Sequence, residues 1–250
     1  MLFGAFGYAR AEDEQTIFFY NTESNINNFV SLKEGFEYYF DHRGGYLFQP
    51  FDLRENFQAS IREKRRGNIY VLSNWHLKEL QKKKFPIEIA MIGTLKGKQE
   101  QRKVLSAPKE IANLEQLKDT VVAAAGTEDY VNNVLKQMLG KKKEALLKDI
   151  TILIVPKDLD ALLSIGFGAS SAAVSAENGL EKMKEISPSY YEELHELAAT
   201  TNDYILVVAT LKKPTEKELQ LLEALRKMEE TEEGREMLMY LGIDGWKKAP

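Results

Sequence analysis

A chain of 250 residues, 44% hydrophobic and 29% charged, is long enough to bury a core and to form one large or two smaller domains. Its formal net charge of -4 argues against a nucleic-acid-binding protein, which usually carries a basic excess on one face. The absence of cysteine excludes a disulfide framework, cysteine-ligated zinc and thiol catalysis.

The N-terminal stretch "MLFGAFGYARA" combines a short apolar run with the small-x-small pattern Ala9-Arg10-Ala11, and acidic residues follow at once. This order is typical of the tail of a secretory signal peptide cleaved after Ala11, and it predicts a periplasmic or otherwise exported protein. A basic region is missing, so an ordinary N-terminal tail stays the alternative. No later apolar run approaches the ~18 residues of a membrane span.

The next part of the chain alternates strand-like and helix-like segments, which is the pattern of α/β architecture. Apolar residues at positions 29, 32, 36 and 40 predict a first helix. Asp52 and Glu55 fit a capping box that starts a second helix, ending at about Arg66. The predicted strands are Thr16–Tyr20, Tyr46–Phe51 and Asn68–Ser73.

Residues 86–108 break this alternation, because two extended runs flank a polar Gly-Lys turn and predict a hairpin. The alternation then resumes. Helices are predicted over Thr127–Leu139, from about Asp158, and in a stretch through His195. The strands predicted here are Thr120–Ala125, Ile150–Pro156 and Ser171–Ser175.

A long extended run, Asp203–Leu211, precedes two amphipathic helices, one with apolar residues at 219, 222, 225 and 228 and one over Gly234–Gly242. Two βα blocks are therefore separated by extended segments near residues 86–108 and 203–211. A chain that leaves one lobe, builds a second and returns by another strand has this order of elements.

Three segments carry a resemblance to a known family. They are "NLEQLKDTVVAAAGTEDYVNNVL", "DLDALLSIGFGASSAAVSAENGL" and the tail "TEEGREMLMYLGIDGWKK". Their order and spacing resemble the type 2 periplasmic binding proteins, specifically the phosphate/phosphonate-binding family of ABC-transporter solute receptors.

The resemblance implies an α/β fold with two α/β lobes joined by two hinge strands, which close on a ligand like a clamp. Residues 1–11 would be the residual signal peptide. Lobe 1 would comprise residues 12–92 and the return segment 206–250, and lobe 2 residues 93–205. Loops at the carboxyl ends of the strands of both lobes would line the cleft.

Two groups of candidate ligand-binding residues follow strands of lobe 1. Tyr20, Asn21 and Thr22 come after the first strand, where polar side chains meet a helix start or simply cap a turn. Ser73, Asn74 and Trp75 come after the third strand. The amphipathic face of Trp75 suits a cleft wall, with burial in the lobe core as the alternative.

A third group, Gly126, Thr127 and Glu128, lies where a strand feeds a helix, a common place for an anion. In the family, hydroxyls and backbone N–H groups hold the phosphonate oxygens at this spot. Glu128 and Asp129 would repel such an anion if they faced the cleft, and would favour a ligand with an ammonium group. Alternatively, they only complement the helix dipole, as the acids in Thr215-Glu216 and Thr231-Glu232 would.

A fourth group is Ser170, Ser171 and Ser175, around the strand after the next helix. The family often has Asp where this chain has Ser171, so one expected acceptor is missing.

These residues predict an exported solute receptor that captures a small anion or zwitterion, phosphonate-like or phosphate-like, for an ABC permease. We expect a monomer without cofactor, metal or nucleic acid. The alternative is a receptor-like module that serves a membrane sensor or another partner and no longer binds phosphonate. We expect no enzyme activity, since HExxH, Walker A and G-x-S-x-G patterns are absent from the sequence.

Overall fold

The computed structural model describes residues 15–23, 28–63, 67–212 and 214–250. The predicted signal peptide lies outside these ranges. Within them, the strands are β1 Thr16–Tyr20, β2 Leu47–Pro50, β3 Ile69–Leu72, β4 Ile87–Thr94, β5 Glu100–Gln101, β6 Lys103–Pro108, β7 Val121–Ala125, β8 Thr151–Val155, β9 Ala172–Ala176, β10 Leu194–Ala199, β11 Asp203–Tyr204, β12 Val207–Leu211 and β13 Gly245–Lys248.

The α-helices of the same ranges are α1 Phe29–Asp41, α2 Arg54–Arg62, α3 Asn74–Lys82, α4 Glu128–Lys143, α5 Asp158–Gly166, α6 Glu177–Ile186, α7 Pro188–Glu193, α8 Glu216–Arg226 and α9 Glu232–Tyr240. Short 3-10 turns at Leu114–Leu117, Glu144–Asp149 and Lys227–Glu230 complete the helical structure. None of the described helices is both long and apolar enough to span a membrane.

The first lobe is built on a six-stranded sheet with the order β13-β4-β12-β3-β1-β2. Strand β1 runs parallel to β2 and β3, so their carboxyl ends meet at one edge of the sheet. Strand β12 lies antiparallel between β3 and β4, and β13 closes the far side. One face carries a core with Phe36 and Phe48, whose rings stack 4.1 Å apart, and the other packs on Phe57 and Leu77.

The second lobe is built on a five-stranded sheet with the order β10-β6-β9-β7-β8. Strand β7 is parallel to β8 and β9, while β6 pairs antiparallel with β9 and β10. The run of alanines and valines in β7 is buried on both faces, between α4 on one side and α5 on the other. Such an apolar run is typical of a parallel strand covered by helices.

The chain crosses between the sheets twice, from β4 through β5 to β6 and from β10 through β11 to β12. The two crossings pair with each other, Asp203 opposite Gln101 and Tyr204 opposite Glu100. The predicted hairpin over residues 86–108 is therefore wrong, because its two arms belong to different sheets. These paired segments are the two hinge strands of a two-lobed fold, while the lobe limits at residues 92/93 and 205/206 stay predictions.

Three other local expectations need correction. The helical stretch through His195 ends at Glu193, and His195 lies in edge strand β10. Helix α2 has Leu53 as its N-cap, without a side-chain cap, so Asp52 and Glu55 form no capping box. The sequence also gave no indication of β13, where Trp246 is buried in the first lobe's core.

Candidate functional site

The carboxyl ends of β1, β3 and β7 meet where the two lobes touch. Thr22, after β1, and Ser73, after β3, are fully buried and share a hydrogen bond of 2.6 Å between their hydroxyls. The backbone carbonyl of Thr22 accepts a hydrogen bond of 2.8 Å from the N–H of Thr127 in the other lobe. We call this contact region between the lobes the interlobe junction.

Gly126 allows this close approach. Its φ of +111° lies in a region that side-chain-bearing residues rarely adopt, and a Cβ atom there would lie 2.6 Å from the Thr22 carbonyl oxygen. The glycine therefore serves two purposes, since it permits the turn from β7 into α4 and lets lobe 1 backbone contact the start of that helix.

Trp75 crosses the junction from helix α3. Its ring packs edge-on against Tyr130 of α4, with centroids 5.5 Å apart, and it contacts the core of the second lobe. The Arg54 guanidinium lies 5.4 Å from the Trp75 ring centroid, within the range of a cation–π contact. Trp75 thus lies between the lobes with Arg54 as its neighbour, while its role in ligand binding stays a prediction.

Arg54, the first residue of α2, connects the lobes by an ion pair. Its two terminal nitrogens donate to the two carboxylate oxygens of Asp129, one at 2.8 Å, and it lies 3.4 Å from the Thr127 hydroxyl. The Arg54 side chain is 23% exposed and that of Asp129 is 51% exposed. A forked Arg–carboxylate pair is among the stronger polar contacts in proteins. Here it fastens α2 of one lobe to α4 of the other.

The start of α4 differs from the two other Thr-initiated helices. The hydroxyls of Thr215 and Thr231 accept N–H groups of their own first turns, at 3.3 and 3.1 Å. The Thr127 hydroxyl forms no such cap and instead donates to Asp129 at 2.7 Å. The comparison with those helices therefore does not hold for Asp129, which pairs with Arg54 of the other lobe. Both Asp129 and Glu128 are exposed, but only Asp129 makes this contact among the described residues.

A buried charged cluster adjoins the junction. The Lys103 ammonium, at the start of β6, lies 3.2 Å from a Glu23 oxygen and 3.9 Å from an Asp158 oxygen. Asp158 also accepts the Ala176 N–H at 2.7 Å. The side chains of Lys103, Glu23 and Asp158 are only 12%, 15% and 23% exposed.

Ionisation in this region follows from burial and these contacts. Burial raises the pKa of the Glu23 carboxyl, and Lys103 opposes the rise only in part. Burial disfavours the Lys103 ammonium, but Asp158, Tyr130 and Glu23 outweigh it and hold the Lys103 pKa well above its ordinary value. Lys103 is therefore charged at neutral pH, and one ammonium faces two carboxyl groups.

The pKa of Asp129 and that of His76 move for different reasons. Burial raises the pKa of Asp129, but hydrogen bonds from Arg54 and Thr127 outweigh it and leave the pKa below its ordinary value. Burial, reinforced by the Arg54 charge, lowers the pKa of His76 to about 3. Asp129 is thus an anion and His76 a neutral packing residue at pH 7.

The four groups of sequence-predicted residues do not all converge. Contacts at the junction are made by Thr22, Ser73, Trp75, Gly126 and Thr127. Tyr20 packs on Phe57 and His76 within the first lobe, the Asn74 amide donates to Asp203 of the hinge, and Glu128 is exposed. The Asn21 side chain accepts the Glu23 N–H at 3.0 Å.

Ser170 and Ser171 lie at the amino end of β9, where the Ser170 hydroxyl bonds Ser164 at 2.6 Å and the Ser171 N–H bonds the Val121 carbonyl at 2.8 Å. Ser175 lies at the other end of that strand, buried near Asp158.

Sequence reasoning missed Arg54 and Lys103. One signal was available for Arg54, since a basic residue in the first turn of a helix opposes the helix dipole. Such a residue is favoured there only if an acid elsewhere in the fold pairs with it. The contact between Lys103 and Glu23 carries no comparable local signal, because the two residues meet across 80 positions of chain through the closure of the lobes.

A cavity of about 220 Å³ opens beside the junction, next to the hinge. Its lining is rich in charged and polar side chains, including Glu23, Lys78, Lys103, Tyr130 and Asp203. Lys78 pairs with Asp203 at 2.8 Å, so α3 is tied to hinge strand β11. Larger cavities of about 410 and 430 Å³ lie on the outer sides of the second and first lobes. No cluster of three or more acidic or histidine residues in the described ranges could hold a metal ion.

A family model for the periplasmic substrate-binding proteins of phosphonate ABC transporters matches residues 51–250. The chain belongs to this family. Its members are substrate-binding proteins of transporters, which agrees with the two-lobed fold and with the family resemblance found in the sequence. No curated protein matches the chain significantly.

Solved structures similar to this chain show the same fold at low identity. A binding protein of an ABC phosphonate transporter from Pseudomonas aeruginosa has 16% identity and a TM-score of 0.66, covering 95% of this chain and 82% of its own. PhnD1 of Prochlorococcus marinus, in complex with methylphosphonate, has 11% identity and a TM-score of 0.64, with coverages of 94% and 93%. A Xanthomonas citri protein bound to ATP has 11% identity and a TM-score of 0.63, with coverages of 95% and 92%.

Replacing Gly126 with alanine is expected to separate the lobes at the junction, because the added Cβ would collide with the Thr22 carbonyl. Small-angle X-ray scattering should give the Gly126→Ala variant a larger radius of gyration than the unaltered chain. Gly168→Ala is the matched control, since Gly168 also has a positive φ, +70°, but has open space around its Cβ position. Equal radii for both variants would show that the junction does not depend on Gly126.

Replacing Lys103 with methionine removes the cation that pairs with Glu23 and Asp158 among the described residues. We expect the free energy of unfolding to fall by about 3–5 kcal/mol, since two carboxylates would be left without their partner. Lys98→Met is the control, because Lys98 is 63% exposed and its ion pair with Glu181 spans 3.9 Å at the surface. Urea denaturation measures the free energy of unfolding of both variants. A loss below about 1 kcal/mol for Lys103→Met, the range of surface pairs, would contradict a buried cluster.

Proposed function

We propose that this chain is an exported receptor that captures a small oxyanion-bearing ligand between its lobes and presents it to an ABC permease. The ligand class is a phosphonate, phosphate or related zwitterion. Family membership supports the transport role and an exported location. We further propose that the receptor acts as a monomer and performs no chemistry on its ligand.

The observation that carries this proposal is the position of Arg54 beside the start of α4. A guanidinium that donates two parallel hydrogen bonds suits a tetrahedral oxyanion, and helix starts favour anions. The Arg54 Nε and Trp75 Nε1 atoms are both buried without a partner among the described residues. Both atoms are hydrogen-bond donors, which suits an oxyanion ligand.

The cluster around Lys103 supports a ligand that also carries a cation. Lys103 faces both Glu23 and Asp158, and of these two acids Glu23 lines the cavity of about 220 Å³. An ammonium group of a small zwitterion would give Glu23 a second cation beside Lys103, which Asp158 also contacts. Its oxyanion would then point toward Arg54 and its ammonium toward Glu23.

In such a receptor, ligand binding closes the two lobes. The ligand would stabilise the arrangement in which α2 and α4 lie side by side, and a membrane partner would recognise that closed form. The paired crossings at β5 and β11 are the natural place for the movement, since they are the short connections between the sheets.

One observation favours the alternative of a sensor or interaction module. The Thr127 N–H and the Arg54 guanidinium are engaged by the chain's own Thr22 carbonyl and Asp129 carboxylate. A receptor held closed by its own groups would need no ligand to present its closed surface. Ligand binding measurements separate the two functions.

The main test replaces Arg54 with glutamine. We expect methylphosphonate, phosphate or an aminophosphonate to raise the thermal midpoint of the unaltered chain. A ligand at 100 times its Kd adds about 2.7 kcal/mol to the free energy of unfolding. Arg54→Gln removes the paired hydrogen bonds from the guanidinium to the ligand. This should weaken binding by about 10- to 100-fold, as expected for a charge-assisted pair worth about 1.5–3 kcal/mol. Isothermal titration measures the change in affinity.

Arg62→Gln serves as the control, because Arg62 lies in the last turn of the same helix, near Phe85 and away from the junction. It makes the same change of charge and should retain the affinity of the unaltered chain. If no oxyanion at millimolar concentration shifts the midpoint of the unaltered chain, the sensor alternative replaces the transport function.

A further inference from the structure

The Asp129 carboxylate is surrounded by the donors that an oxyanion ligand would use. It accepts the Thr127 hydroxyl at 2.7 Å, the Tyr130 N–H at 2.9 Å and Arg54 Nη2 at 2.8 Å, and its other oxygen accepts Arg54 Nη1. A hydroxyl, a backbone N–H at a helix start and a forked guanidinium together form a complete anion site. Here a side chain of the protein occupies it.

The start of α4 carries two acids, and Asp129 is the one that contacts the other lobe. Glu128 already places a negative charge in the first turn, where it complements the helix dipole. Thr215 and Thr231 show that a Thr-initiated helix of this chain normally uses the hydroxyl as a cap. At α4 the Asp129 carboxylate accepts the equivalent N–H, that of Tyr130, and it also accepts the Thr127 hydroxyl and the Arg54 guanidinium of the other lobe.

We propose that the Asp129 carboxylate is an internal substitute for the ligand's oxyanion, which an arriving ligand must displace from Arg54 and the α4 start. Asp129 thereby sets which anions the receptor accepts. This inference rests on the proposed function and concerns the same junction.

Displacement is physically feasible because the Asp129 side chain is 51% exposed and can turn toward water. Asp129 and the ligand compete for Arg54. The ligand can bind the guanidinium only in the fraction of molecules in which Asp129 has moved away from it. Apparent affinity falls by that fraction. The displaced carboxylate stays close to the ligand and repels a second negative charge, which penalises plain dianions most.

Selectivity follows from this arrangement. Phosphate and methylphosphonate must overcome both the competition and the repulsion. A ligand with an ammonium group offsets the repulsion, because its own positive charge balances the displaced Asp129 or the Glu23 carboxyl near Lys103. The receptor would thus discriminate against simple oxyanions by means of one side chain.

The test replaces Asp129 with alanine and measures the affinity for inorganic phosphate and methylphosphonate by isothermal titration. We expect both ligands to bind Asp129→Ala at least about tenfold more tightly than the unaltered chain, because Arg54 is then permanently available. Asp129→Asn keeps the size of the side chain and removes its charge, and it should show a smaller gain. It also provides the measurement if the alanine variant does not fold.

Glu55→Ala is the matched control for a general change of charge. Glu55 neighbours Arg54 in the first turn of α2 and is exposed, so its removal adds the same net charge near the junction without freeing the guanidinium. Its affinity for both ligands should stay within about twofold of the unaltered chain, as expected for an exposed charge. Equal gains for Asp129→Ala and Glu55→Ala would overturn the proposal, because long-range charge would then explain the effect.

The remaining outcomes separate this inference from the proposed function. If the unaltered chain binds the ligands and Asp129→Ala binds them equally or less tightly, the inference fails while the receptor function stands. If only the Asp129 variants bind them, the internal substitute is supported and uptake of these simple anions by the unaltered chain is refuted. If no variant binds either anion, the inference fails, and the receptor function fails with it only if an aminophosphonate also leaves the thermal midpoint of the unaltered chain unchanged.

Discussion

The structure depends on the contact between Arg54 and the start of α4. The forked pair with Asp129 and the hydrogen bond from Thr127 to the Thr22 carbonyl join the two lobes at the edge where their strands end. Only the absence of a side chain at Gly126 lets these backbones approach. An open α/β sheet offers its binding crevice at that edge. The same few atoms therefore determine how the lobes meet and which ligand can lie between them.

Much of the fold could be predicted because its signals are local. Apolar runs such as that of β7 and the spacing of Leu32, Phe36 and Phe40 are consequences of burial in a covered sheet and on one helix face. Edge strand β10 was mistaken for helix because its residues alternate only weakly and follow α7 directly. The pairing of residues 86–108 was wrong for another reason, since nothing local shows that two neighbouring strands belong to different sheets.

The site was harder to predict, because its contacts join residues far apart in the chain. Thr22, Ser73, Trp75, Gly126 and Thr127 were identified from their place after strands, and the structure brings them together. The Arg54–Asp129 pair spans 75 positions, and no periodic pattern encodes it. The conflict between an anion site and two acids was visible in the sequence. Its resolution required the opposite lobe, which supplies the cation that Asp129 contacts.

Trp75 allows the central claim, that an oxyanion enters at the interlobe junction, to be measured directly. The only other tryptophan, Trp246, is buried in the first lobe, and its indole has no hydrogen-bond partner in the part of the chain that the structure describes. Trp246→Phe therefore leaves a single reporter beside Arg54 and Tyr130. Titration of this variant with methylphosphonate should give a saturable change in Trp75 fluorescence at the concentrations that raise its thermal midpoint. A raised midpoint with unchanged Trp75 emission would contradict the account, because the ligand would then bind away from the junction.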